Sequence, residues 1–377
     1  MPRTLDSKFH IDNIVDQFGA DLDADKVKAY CSNHEVGYQT ITKYLNQFKT
    51  KRGHWKVTVK EAKRQLEKTL ENSNVGIAKT TVQAENLVPA KDDTFIKFGA
   101  FPDLKKVIAS RLFYPVFITG MSGNGKTFGV EQACNQTNRE LIRVNITVET
   151  DEDDLIGGFR LVNGETVWHN GPVIEALERG AILLLDEVDL ASNKILCLQS
   201  ILEGKGVFLK KIGEYIKPSA GFNIVATANT KGKGSDDGRF IGTNVLNEAF
   251  LERFPITIEQ EYPTVVTETK ILTKVSESLN IPMIGEHKAF ITHLCNWADI
   301  VRRTFNDGGV DEIISTRRLT HIIRAYSIFG NKMKSVQMCL NRFDDETKES
   351  FTQLYSKLDE TVNVTESTQK VDRRTLP

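Results

Sequence analysis

No stretch of this 377-residue sequence approaches the ~18–20 consecutive apolar residues that a membrane-spanning helix requires. The opening MPRTLDSKFHIDNIVDQF lacks the basic start and apolar core of a secretory leader, so none is expected. Cysteine is sparse and dispersed: Cys31, Cys134, Cys197, Cys295 and Cys339 form no CxxC pair. That spacing argues against a structural zinc site and a disulfide framework, and predicts reduced thiols in a cytoplasmic protein with no membrane attachment. Net charge is also nearly absent, at -1. The balance hides a local excess, because Lys43, Lys49, Lys51, Arg52, Lys56, Lys60, Lys63, Arg64 and Lys68 are opposed only by Glu61 and Glu67. No internal repeat is present, and the last residues, 359–377, are polar and free of aromatics.

What is present divides into regions. Residues 1–72 read as a helical module: Asp23 and Asp25 precede a helical stretch, Ile41, Tyr44, Leu45 and Phe48 recur at helical spacing, and Ala62, Leu66 and Leu70 share a face. Residues 73–94 have weak periodicity and read as a linker. From 95 to 262, short apolar runs at 116–119, 141–146, 181–185, 222–228 and 256–258 alternate with helical stretches. Such alternation predicts an α/β fold with a mainly parallel sheet covered on both faces. Residues 263–358 look wholly helical, as a lid, and 359–377 read as a disordered tail.

The most specific motif is GMSGNGKT at 120–127, which fits GxxxxGK[ST] between a strand and a helix. Glycines let successive N–H groups curl around phosphate oxygens, and the helix start adds partial positive charge. Gly120, Met121, Ser122, Gly123, Asn124, Gly125, Lys126, Thr127 and Phe128 are therefore the candidate ATP-binding residues. Lys126 would neutralise the terminal phosphates, and the Thr127 hydroxyl would ligate Mg²⁺. A chance Gly-rich turn is the bland alternative, and the strand–loop–helix context weighs against it.

A second motif, AILLLDEVD at 181–189, is a buried strand ending in acids. Asp186 is the second Mg²⁺ candidate and Glu187 the candidate general base for the attacking water. Asp189 is equally well explained as an acid at the start of the next helix. The strand FNIVATAN ends at Asn229, which could orient that water or simply favour a turn. Arg253, between NEAFLE and FPITI, suits a guanidinium finger acting on a neighbour's γ-phosphate; Arg239 is its weaker rival. In STRRLTH, Ser315 or Thr316 would cap a helix and Arg317, ahead of Arg318, would face the nucleotide. Phe159 and Trp168 sit on a Gly-rich excursion and suit either partner contact or local packing.

In this order the motifs resemble the AAA+ superfamily, and more narrowly its MoxR and dynein-related branch, with likeness to the ATPase subunit of aerobic cobaltochelatases. The narrower likeness rests on DLIGG at 154–158, VWHNGP at 167–172, ALERG at 176–180 and LLLDEVD. The resemblance implies a P-loop core with a five-stranded parallel sheet, a helical lid, and residues 157–170 as an insertion in the second core helix. It also implies a ring, usually a hexamer, in which Lys126, Thr127, Asp186, Glu187 and Asn229 act from one subunit and Arg253 from the next. Its members typically act on a partner with a von Willebrand A-type domain. This chain has no DxSxS signature for such a domain, so that partner would be a separate protein. Three functions follow as expectations: a Mg-ATPase that remodels a partner, with metal insertion into a tetrapyrrole as its chelatase-like form; a motor recruited to nucleic acid through residues 43–68; and a switched scaffold with scarcely any turnover, which an intact Glu187 disfavours.

Overall fold

The computed structural model describes residues 13–15, 17–18, 21–34, 37–56, 86–234, 242–283 and 285–361. The helix expected around Ala62–Leu70, the first part of the linker, Arg239 and the tail beyond 361 lie outside them. The chain divides into two units, Met1–Lys79 and Thr80–Pro377, each taken by itself.

In the first unit, helices α1 (Ala24–Asn33) and α2 (Tyr38–Leu45) accompany three short strands, β1 (Asp21–Asp23), β2 (Lys49–Lys51) and β3 (His54–Lys56). Asp23 caps α1 by accepting from the N–H groups of Asp25 and Lys26. Ile14, Leu22, Val27, Tyr30, Ile41, Leu45, Phe48 and Trp55 form its core. The antiparallel sheet, in the order β1-β3-β2, adds to the helices read from the sequence. Strands of three residues are too short to show a period-2 pattern.

The second unit is built on five parallel strands: β4 (Val116–Thr119), β5 (Leu141–Asn145), β8 (Ile182–Asp186), β11 (Asn223–Ala228) and β12 (Ile256–Glu259). Their order is β12-β4-β11-β8-β5. On β8, Ile182 and Leu184 enter one apolar cluster while Leu183 and Leu185 enter another on the opposite face. A strand buried on both sides must be apolar at every position, which is why 181–185 carries no polar residue. On one face pack α3 (Phe101–Ser110) and α4 (Lys126–Gln136), through Phe101, Leu104, Ile108, Val130 and Ala133.

Two hairpins leave this core. β6 (Gly157–Val162) and β7 (Glu165–Asn170) separate the short helix α5 (Glu152–Leu155) from α6 (Pro172–Arg179), at the point where the family resemblance puts an insertion. Trp168 is buried in the core and meets Phe159 edge-on at 5.5 Å, whereas Phe159, Leu161 and Val162 are exposed. A short helix, α7 (Gln199–Leu202), precedes a hairpin the sequence reading did not include, β9 (Val207–Leu209) with β10 (Glu214–Ile216). Another short helix, α8 (Glu248–Leu251), leads to β12.

The end of the supposed linker belongs to the second unit and is fastened to its helices and sheet. Leu141 N–H donates to the Leu87 carbonyl at 3.0 Å, Gln132 Nε2 to Ala90 at 3.0 Å and Asn135 Nδ2 to Pro89 at 2.8 Å. From Leu87 onward the segment is therefore held to α4 and β5.

Five helices form the lid: α9 (Val265–Ser278), α10 (Glu286–Asn306), α11 (Thr316–Phe329), α12 (Lys332–Leu340) and α13 (Asp345–Leu358). They share a core that includes Trp297, Phe290, Ile323 and Tyr355. Inside it Arg302 grips both Glu268 oxygens, at 2.7 and 3.0 Å, and donates to the Ile314 carbonyl. Thr316 adds a hydroxyl donor to Glu268 at 2.6 Å. A carboxylate with no exposed surface is tolerable in a core only with such complete pairing. Buried Asp359, bonded to Tyr355 Oη at 2.9 Å, belongs to the same packing, so the ordered lid runs past 358.

Candidate nucleotide site

At the carboxyl ends of the central strands lies a cavity of about 320 Å³. Ligands of open α/β sheets bind at this edge. Phe95, Ile96 and Phe98 from before α3, with Ile271 and Val275 of the lid, give it an apolar end. Ser122 to Phe128 line it, with Asp186, Glu187, Asn229 and Arg317. The shape suits a molecule with a flat apolar part and a charged part.

The phosphate loop takes its form from close backbone approach. A Cβ on Gly120, at φ +146°, would stand 2.1 Å from the Gln260 carbonyl oxygen. One on Gly123, at φ +72°, would meet Ser315 Oγ of the lid at 2.8 Å. The buried Asn124 donates its amide to Gln260 and so fixes the loop's outer arm. Gly120 and Met121 do not line the cavity; their carbonyls accept from Lys126 Nζ.

Lys126 Nζ also donates to Asn229 Oδ1 at 3.2 Å, which joins two of the candidate residues directly. Burial pushes the Lys126 ammonium down to about 8, against the pull of Asp189 and Asp186. A buried cation so poorly compensated by protein is a fitting receptor for phosphate oxygens.

Thr127 Oγ1 donates to Asp186 Oδ1 at 2.8 Å, so the two Mg²⁺ candidates are adjacent. Asp186 also accepts from Thr227 Oγ1 and, at 2.5 Å, from Arg143, which reaches Glu131 as well. Among the described residues no group of three or more His, Cys, Asp or Glu side chains could cage a metal. One hydroxyl beside one carboxylate fits an ion that keeps waters and takes its other ligands from phosphate, as Mg²⁺ does.

Glu187 follows in a left-handed conformation, φ +59°. That costs a non-glycine residue roughly 1–2 kcal/mol. Its N–H donates to Thr227 Oγ1 at 3.2 Å, holding the turn that puts Glu187 on the cavity wall. Thr227, passed over in the sequence, thus ties the Mg²⁺ candidate to the base candidate. Asp189, for which the sequence left a helix-opening role and a site role equally open, is placed by its contacts. It is fully buried, and its Oδ2 accepts from the N–H groups of Asn229 and Thr230, each at 2.9 Å, and from Thr230 Oγ1. It lies in the 3₁₀ turn Val188–Leu190, and its carboxylate holds the backbone just beyond β11.

In the lid, Ser315 caps α11 and the Arg317 N–H donates to the Gly123 carbonyl at 3.2 Å. Tyr262 Oη donates to the Ser122 carbonyl at 2.7 Å while its ring lies under Arg302. Arg317 lines the cavity together with Arg324. Arg318 points elsewhere, stacking on Phe343 and donating to the Cys339 carbonyl. Arg253 does not join the cavity: it is paired with Glu203 at 2.7 Å and donates to the Ala249 carbonyl.

The profile of the AAA domain (dynein-related subfamily) matches residues 115–254. A Sinorhizobium protein, aerobic cobaltochelatase subunit CobS, is 26% identical over 222 residues, 57% of this chain and 66% of that one. Protein NorQ of Paracoccus denitrificans is 30% identical over 164 residues, 43% of this chain and 58% of that one. The RuvB Holliday junction branch migration motor of Thermotoga maritima superimposes at a TM-score of 0.42 with 17% identity, covering 74% of each chain, a likeness too loose to carry weight. The matched part of each sequence relative stops short of two thirds of its length. The strand order, phosphate loop and paired acids lie in the same stretch as the profile match, so residues 115–254 form an AAA domain of the dynein-related subfamily.

Proposed function

We propose that this protein is a Mg²⁺-dependent ATPase that works as a ring, usually a hexamer in such proteins, and spends hydrolysis on remodelling a partner complex. The observation that carries this reading is the meeting of Lys126, Thr127, Asp186, Glu187, Asn229 and Arg317 at one cavity. Loop amides and Lys126 hold the triphosphate. Thr127 and Asp186 are the residues that would hold Mg²⁺, whose charge offsets that of the phosphates. Glu187 takes a proton from water as its oxygen bonds to the γ-phosphorus and the bond to the β-phosphate oxygen breaks, giving ADP and phosphate. Asn229 orients that water, and Arg317 of the lid answers the phosphate charge.

Arg253 lies outside this cavity, which is what a finger serving the neighbouring subunit requires. The likeness to a cobaltochelatase subunit supports a chelatase-like form of the function, acting on a separate von Willebrand A-type protein. No helix among the described residues is long and apolar enough to cross a membrane, in keeping with a cytoplasmic role.

The test is Glu187→Gln. The variant is expected to bind ATP normally and lose turnover by about 10²–10⁴. Held with ATP, it should retain its partner in a pull-down. Undiminished turnover would remove Glu187 from the reaction, and failure of the wild type to bind Mg-ATP would end the proposal.

A further inference from the structure

The first unit bears a surface that the nucleotide site does not use. Its described elements run helix (residues 13–15 and 17–18), β1, α1, α2, β2, β3, with the sheet ordered β1-β3-β2. Four residues, 34–37, separate α1 from α2, and the last is Gly37. Two helices four residues apart in the sequence, followed by a β-ribbon, have the element order of a helix-turn-helix with a wing.

The faces of α2 and of the 3₁₀ turn that follows it, Asn46–Phe48, are sorted sharply. Ile41, Leu45 and Phe48, spaced i, i+4, i+7, are buried in the unit's core. Gln39, Lys43 and Asn46, with the same spacing, are exposed. Long amide and ammonium side chains on the free face of a second helix are the groups that read base edges in a major groove.

The ribbon continues the pattern. Lys49, Thr50, Lys51, Arg52, His54 and Lys56 are all exposed, while Trp55, 4% exposed, anchors the ribbon to the core. Residues 37–56 contain four Lys, one Arg and no Asp or Glu. The described acids lie on the other side of the sheet order: Asp21 and Asp23 on β1, where they register with Lys56 and His54, and Asp25 at the start of α1. Lys43, Lys49, Lys51 and Arg52 have no acidic partner among the described residues. A cationic ribbon beside a polar helix face is the electrostatic footprint of a phosphate backbone flanking a groove.

We infer that the first unit binds duplex DNA, with Gln39 and Lys43 of α2 and Asn46 just beyond its end in the major groove and Lys49, Lys51 and Arg52 of the wing on phosphates. The ATPase would thereby be tethered to DNA through a surface separate from its nucleotide cavity. Single-stranded nucleic acid or RNA is the rival partner, and the experiment separates them.

The full-length protein is titrated into a labelled 30-base-pair duplex of random sequence from about 50 to 300 mM KCl, and anisotropy is read. Binding should weaken linearly in log–log form, each phosphate contact adding about 0.9 to the slope. The K49Q/K51Q/R52Q variant should lower that slope by roughly 2–3 and weaken binding at least tenfold at low salt. Lys28→Gln, on α1, should bind as the wild type does, and all three proteins should hydrolyse ATP equally. Lys43→Gln, a single exposed change on α2, should weaken binding independently of the wing. Absence of salt-sensitive duplex binding, equal binding by the wing variant, or tighter binding to a single strand or duplex RNA of the same sequence overturns the proposal. ATP turnover is read separately, so loss of the DNA result leaves the ATPase reading untouched, and the reverse.

Discussion

Asp189 fastens the backbone of Asn229: its Oδ2 accepts the Asn229 N–H at 2.9 Å from a fully buried position. Since Asn229 in turn accepts from Lys126, a residue with no place on the cavity wall controls one that has. Asp189→Ala strands the N–H groups of Asn229 and Thr230. The expected result is a stability loss of about 2–4 kcal/mol by urea denaturation. Turnover should fall at least tenfold at saturating ATP while ATP affinity changes little. An enzyme with normal turnover despite reduced stability would make Asp189 a structural residue only.

Lys126 gives a pH dependence with a definite sign. Its free-state value of about 8 lies below the usual ammonium value, and bound phosphates would raise it. Below about pH 7 the ammonium is charged with or without nucleotide, so affinity should be flat. Above about 8 binding must take up a proton, and the dissociation constant should rise by up to tenfold per pH unit. Calorimetry with a non-hydrolysable nucleotide, in buffers of different ionisation enthalpy, measures both the affinity and the proton uptake. A constant affinity from pH 7 to 9.5 would take Lys126 off the phosphates.

Arg253 rests on Glu203 within its own subunit. If it serves a neighbour's site, Arg253→Ala should retain ATP affinity and lose turnover by about 10³ or more. Mixing it with the Glu187→Gln protein should restore part of the activity, since some interfaces then combine an intact base with an intact finger. Full activity in a dilute monomer, or no rescue in mixed assemblies, speaks against action in trans.

The Glu268–Arg302 pair predicts where the lid is vulnerable. Truncating Glu268 to Ala leaves a buried guanidinium unpaired, at an expected cost of about 3–5 kcal/mol. Because Arg302 also supports the Tyr262 ring, whose hydroxyl reaches Ser122, nucleotide affinity should fall together with lid stability. Hydrogen exchange of α9 to α11 with and without nucleotide tests the coupling. Unchanged exchange in the variant would show that the pair is dispensable.

Contiguous chemistry was readable. The phosphate loop and the 181–189 strand each place their reacting groups within a few residues, and burial on both faces leaves an unbroken apolar run. What escaped depends on distance along the chain. Thr227 and Asp189 reach their partners across about forty residues, and nothing local in either marks it. Residues 87–90 resemble a linker because their hydrogen bonds are made to backbone groups by Gln132 and Asn135 and by the strand edge at Leu141. The wing escaped for a different reason: its single buried residue, Trp55, cannot establish a pattern alone.

The contact between Gly123 and the lid has a mechanical corollary. The Arg317 amide is joined to a carbonyl of the loop itself, so a pivot point for the lid lies on the wall of the candidate nucleotide cavity. From that pivot α11 extends 14 residues, roughly 21 Å. Leu319, Ile322 and Ile323 of that helix lie in the lid's own core, so on the proposed ATPase reading a shift of the Gly123 carbonyl would be passed through α11 into the packing of the whole lid.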